Sequence, residues 1–98
     1  MREPSIEALQ QAILGLHNAT ATWLESVPVK ETFQDHTVWE GTVQVFELQG
    51  HPTATRCYAW SYPTKGRKRR FVAVLHQGPV DSPEKAVRAA IVQENRSG

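Results

Sequence analysis

The residues that could act on a partner are concentrated in the middle of the chain. Residues 56–62 alternate large aromatic rings with small side chains at period two, a pattern typical of a β-strand. Residues 65–70 then contain five of the eleven lysines and arginines of the protein. Cations beside exposed rings favour nucleic-acid binding, because cations contact phosphates and rings stack on bases. The candidate nucleic-acid-binding residues are therefore Arg56, Tyr58, Trp60, Lys65, Arg67, Lys68, Arg69 and Arg70.

The aromatic strand allows two interpretations. Tyr58, Trp60 and Tyr62 share one face, because successive strand residues point to opposite sides, and smaller side chains share the other face. If helices cover the small face, the rings are exposed and can stack on bases or meet a second copy. If helices cover the aromatic face, the rings are the core that a domain of this size needs.

The basic segment 65–70 also allows two interpretations. It is either a hairpin that contacts phosphates or a solvated turn that keeps the edge of the sheet from pairing with other chains. Charge is divided unevenly along the chain as a whole. Residues 1–50 hold two basic against seven acidic residues, a net charge of −5, and residues 51–98 hold nine against three, a net charge of +6. Two copies, or an acidic protein and this one, could therefore pair through opposite charges.

No catalytic or metal-binding motif accompanies these residues in the sequence. The four histidines and the single cysteine match no known zinc spacing, so we predict no metal and no cofactor. Cys57 lies in the middle of a predicted strand, where a buried thiol is protonated and inert. We therefore expect a protein that is not an enzyme.

Apolar spacing predicts the secondary structure. A stripe with spacings of three and four predicts a helix over about 5–27, ended by Pro28. Alternation and turn residues predict strands over about 38–48, 54–62 and 69–76. Ser82 and Pro83 are typical of a helix start and predict a helix over about 83–94. Phe46 and Leu48 break the alternation of the first strand, which indicates either a bulge or a covered opposite face.

These elements predict one α+β domain over residues 1–98. Short turns join the strands into a three-stranded antiparallel meander, and two layers with both helices on one face are the simplest arrangement. The apolar runs are too short to cross a membrane, and we see no secretory signal in the sequence. Together with the lone cysteine, this favours a cytoplasmic protein that does not contact a membrane.

The α-β-β-β-α order resembles the double-stranded RNA-binding domain, whose two helices pack on one face of a three-stranded sheet. The resemblance implies RNA contacts from the first helix, from the loop at residues 50–52 (Gly, His, Pro), and from the start of the last helix, where Lys85 is the basic residue. The segment 38–60 also looks like small bacterial proteins for which no activity is established.

We hypothesise a small binding module that contacts RNA or single-stranded nucleic acid through the basic hairpin. The alternative is a protein-interaction or homo-oligomeric assembly module, in which an acidic protein or a second copy meets the hairpin.

Overall fold

The computed structural model describes residues 6–64, 66 and 68–97, with side chains up to residue 93. The elements, in chain order, are α1 (Ile6–His17), β1 (Thr20–Phe33), β2 (His36–Gln49), β3 (Arg56–Pro63), β4 (Arg69–Leu75) and α2 (Pro83–Ser97). The strands form one sheet in the order β1-β2-β3-β4, and each neighbouring pair is antiparallel. The protein is therefore an α+β meander of four strands, one more than the sequence predicted.

The extra strand comes from the predicted helix over 5–27, which was wrong beyond His17. Asn18 has a left-handed φ of 54°, and its N–H donates to the carbonyl of Leu14 at 2.9 Å, which ends α1. The threonines at positions 20 and 22 then favour a strand. Residues 29–37, which lie between the predicted helix and the first predicted strand, form the end of β1, a two-residue turn and the start of β2. Gln34 and Asp35 both have positive φ there, as a tight hairpin turn requires.

The other elements lie close to their predicted positions. Strands β2, β3 and β4 begin and end within two residues of the ranges 38–48, 54–62 and 69–76. The last helix starts at Pro83 as predicted and runs three residues further. Ser82 caps it, since its Oγ accepts a hydrogen bond from the Lys85 N–H at 3.2 Å and its carbonyl accepts one from the Ala86 N–H at 3.0 Å.

The two helices cover opposite faces of the sheet, so the prediction of two layers with both helices on one face was wrong. Leu9 and Ile13 of α1 pack on the face that carries Cys57 and Ala59. Helix α2 packs on the other face, in a cluster made of Val29, Val43, Val45, Tyr58, Trp60, Ala86 and Val87. The physical reason is that β3 is apolar at both odd and even positions, so each face needs a cover.

This arrangement also answers the question about Phe46 and Leu48. Both are buried under α1, whereas Val43 and Val45 are buried under α2. Strand β2 therefore carries core residues on both faces, and the register shifts in its pairing with β1 lie between Trp23 and Glu25 and near residue 31. Four strands and helices on opposite faces also depart from the arrangement that the resemblance to the double-stranded RNA-binding domain implies.

Candidate nucleic-acid interface

The aromatic side chains of β3 belong to the core. Tyr58 and Trp60 point towards α2 and are 3 % and 4 % exposed. Trp60 packs edge-on against Trp39, with ring centroids 5.6 Å apart, and the hydroxyl of Tyr58 shares a 2.6 Å hydrogen bond with Nδ1 of His76. Burial raises the pKa of Tyr58. Bases cannot stack on these two rings, and the interpretation that exposes them is therefore excluded.

The basic hairpin connects β3 to β4. The Thr64 N–H donates to the carbonyl of Lys68 at 2.9 Å and so closes the turn, and Gly66 supplies a positive φ of 75°. Lys65 and Arg67 lie outside the described residues. Lys68 is exposed at the end of the turn, where its side chain is free to contact a ligand.

The first two residues of β4 point their side chains to opposite faces. Arg69 is partly buried on the α1 side, and its Nε donates to Oγ of Ser61 at 3.0 Å. Arg70 is exposed on the α2 side, opposite Tyr62 of β3. Strand β4 therefore directs the Arg69 side chain towards Ser61 of β3 and leaves the Arg70 side chain facing solvent.

Among the described residues, no carboxylate forms an ion pair with Lys68 or Arg70 of this hairpin. Among those residues the ion pairs are Lys85–Asp81 at 3.0 Å and Arg88–Glu31 at 2.5 Å. Glu31 raises the pKa of Arg88, and Lys85 lowers the pKa of Asp81. Within the described part of the chain, neither Lys68 nor Arg70 has an ion-pair partner. Like charges are therefore held close together there without a carboxylate against them.

Arg56 is separated from the other candidate cations. It lies at the start of β3, and the basic hairpin follows the end of this eight-residue strand, about 23 Å away at the usual rise of a strand. Its carbonyl accepts a hydrogen bond from the His76 N–H at 2.9 Å. Arg56 is exposed, but a ligand on the hairpin reaches it only by following the whole length of β3.

His51 and Cys57 have structural roles. Nδ1 of His51 accepts hydrogen bonds from the N–H groups of Thr53 at 3.2 Å and Ala54 at 2.9 Å, and so shapes the turn after β2. Burial raises the pKa of Cys57 to about 12, so its thiol is protonated and is not a nucleophile. In the described ranges no three His, Cys, Asp or Glu side chains are grouped as metal ligands.

Sequence reasoning missed the outer edge of β4. The His17 side chain, on α1, lies close to this edge, and its Nε2 donates to the carbonyl of Ala73 at 2.9 Å. A groove beside the strand is lined by residues from α1, β4 and α2. The sequence signal for this groove was the run 71–75. The run is apolar on both faces, which is typical of a strand inside a sheet, yet β4 lies at the edge.

In comparison with known proteins, no family model, no curated protein and no solved structure matches the chain. Neither helix of the described chain has the length and apolar character needed to cross a membrane.

Proposed function

We propose that this protein is a small, non-catalytic binding module that contacts the phosphate backbone of RNA or single-stranded nucleic acid through the basic hairpin, residues 65–70. The observation that carries the proposal is that Lys68 and Arg70 have no ion-pair partner among the described residues. The acidic half of the chain contributes Glu31 to an ion pair with Arg88 of α2 rather than to either of these two cations. A polyanion relieves the repulsion between such cations.

Burial of Tyr58 and Trp60 determines what kind of binding to expect. With these rings in the core, affinity comes from phosphate contacts, which carry little sequence information. If all five cations of residues 65–70 engage one strand, log affinity falls against log salt with a slope of about −3.5, at about 0.7 per neutralised phosphate. Binding is therefore expected to be salt-sensitive and tolerant of base sequence.

Fluorescence anisotropy of a labelled oligouridine across a salt series tests the proposal. The informative variant combines Lys65→Gln, Arg67→Gln and Lys68→Gln, which lowers the expected slope to about −1.4 because three phosphate contacts are lost. The matched control combines Lys30→Gln, Arg88→Gln and Arg96→Gln, which removes the same charge outside residues 65–70 and is expected to leave most of the slope. Absence of binding at low salt, or equal losses in the two variants, refutes the proposal.

A further inference from the structure

The outer edge of β4 presents outward-pointing backbone groups in a regular row, and one of them, the Ala73 carbonyl, already accepts a hydrogen bond from Nε2 of His17 at 2.9 Å. The His76 N–H bonds to the carbonyl of Arg56, which sets the phase of the β3–β4 ladder: even-numbered residues of β4 bond to β3. The N–H and C=O groups of Phe71, Ala73 and Leu75 therefore point away from the sheet. No strand of the described residues pairs with this side of β4.

The opposite edge of the sheet, at β1, is protected from pairing. Pro28 has no N–H to offer, and the carbonyl of Ala21 accepts a hydrogen bond from Nε2 of Gln10 at 2.8 Å. The charged Lys30 also lies on this strand, and two register shifts interrupt its pairing with β2. Prolines, charges and irregularities of this kind are how proteins keep edge strands from adding to other chains.

Between Phe71 and Leu75, strand β4 has no proline, no charged residue and no register shift, and a side chain bonds to one of its outward carbonyls, that of Ala73. Its five apolar residues occupy both faces, a composition typical of a strand inside a sheet, and all five remain partly exposed. Beside them runs an open groove of about 490 Å³, between His17 of α1 and the small residues Ala89 and Ala90 of α2. The strand therefore has outward N–H groups without a partner among the described residues, and a groove runs beside them.

We propose that β4 pairs antiparallel with β4 of a second copy of this chain, which joins two four-stranded sheets into one of eight strands around a two-fold axis. The register that uses every outward group places Ala73 opposite Ala73 of the second copy and Phe71 opposite Leu75 of the second copy. The carbonyl of Ala73 has two lone pairs, so the bond from His17 leaves one for the incoming N–H.

Charge complementarity favours a second copy paired in the antiparallel orientation. In the proposed register Arg70 lies opposite His76 of the second copy, on the α2 face. The Val80 N–H donates to the carbonyl of Gln77 at 3.2 Å, and this turn brings the start of α2, with Asp81 and Glu84, close to that position. Asp81 pairs with Lys85, so Glu84 is the carboxylate available to Arg70. The basic end of each β4 thus meets the acidic helix start of the other copy. Parallel pairing would instead set the arginines side by side, and like charges directly opposite are destabilising.

Sedimentation of the full chain from micromolar to millimolar concentration provides the first test. The proposal requires a mass that rises towards twice the 11.0 kDa of one chain. Amide exchange measured by NMR adds a position-specific readout. The N–H groups of Phe71, Ala73 and Leu75 should become protected as concentration rises, whereas those of Val72 and Val74 are protected at every concentration because they bond to β3.

The variant Ala73→Pro blocks the edge without removing any ladder bond of the single chain, because the lost N–H points outward. Loss of the two symmetry-related bonds at Ala73 should weaken the dimer about thirtyfold. The matched control is Lys30→Pro, which makes the same change at an outward position of the other edge and should leave the dimer intact. Circular dichroism shows whether both variants fold.

A charge exchange provides a readout that is independent of proline. Arg70→Glu should weaken the dimer roughly fivefold, and adding Glu84→Lys should restore it, since the pair is then reversed rather than broken. A chain that stays monomeric at millimolar concentration overturns the proposal. So does a dimer that Ala73→Pro leaves unchanged, because its interface is then elsewhere.

Discussion

Replacing Ile13 and Leu16 separately with alanine tests how α1 lies on the sheet. The sequence puts both residues in one apolar stripe, whereas the structure leaves Ile13 0 % exposed and Leu16 59 % exposed. Ile13 packs in a cluster with Phe46 and Cys57, so its truncation loses transfer free energy and opens a cavity. We expect Ile13→Ala to lower the free energy of unfolding by about 3 kcal/mol, and Leu16→Ala by less than about 1 kcal/mol.

Urea unfolding followed by tryptophan fluorescence measures both losses. In a domain of this size a loss of 3 kcal/mol lowers the melting temperature by about 12–24 °C. The slope of unfolding free energy against urea should be unchanged in both variants, because the surface exposed on unfolding hardly differs. If the two substitutions cost the same, α1 is rotated on the sheet and its face is not the one described above.

Two further predictions concern Cys57 and Asn18. Because burial raises the pKa of Cys57 to about 12, a thiol reagent should label it only on unfolding. The unfolded thiol ionises near 9.0, so stability should fall as pH rises from 9.0 towards 12, and pH-dependent denaturation should show a smaller fall in Cys57→Ala. Asn18 has a φ of 54°, so Asn18→Ala should lower the free energy of unfolding by about 1 kcal/mol in urea, whereas Asn18→Gly should not.

The second half of the fold could be predicted from the sequence because its signals are local. Period-two alternation with flanking turn residues indicated β2, β3 and β4, and the Ser82–Pro83 pair indicated the start of α2. Each of these signals has a structural counterpart, such as the cap that Ser82 provides. Local chemistry and tertiary structure agree in this half of the chain.

The first half misled the prediction because two periodicities coincide there. Trp23 and Val27 continue the helical spacing of α1 by chance, although both lie in β1. The turn between β1 and β2 is made by Gln34 and Asp35 rather than by asparagine and glycine, so the strongest sequence signal of a tight hairpin is missing. Pairing with β2 then outweighs the weak preference of residues 19–22, which are alternating alanine and threonine.

The sequence did not show which face of the aromatic strand is buried, because both interpretations assumed that helices cover only one face. Helices lie on both sides, so Cys57 and Ala59 are buried together with Tyr58 and Trp60. The smaller side chains face α1 and the larger ones face α2. What the sequence did indicate correctly was a dense group of cations, and only the structure could show that Lys68 and Arg70 have no carboxylate against them in the described part of the chain.

The two proposals can fail independently, since one depends on side-chain charges and the other on backbone groups of the strand that follows. Phosphate binding depends on the charges of residues 65–70, whereas strand pairing depends on outward backbone groups from Phe71 to Leu75. Arg70 is the one side chain that both involve. In the antiparallel dimer it faces the acidic helix start of the second copy, while Lys68 precedes the paired strand and stays outside the interface. A protein that dimerises through β4 therefore keeps most of its hairpin charge for a polyanion, and loss of dimerisation in Ala73→Pro should leave the salt dependence of each chain unchanged.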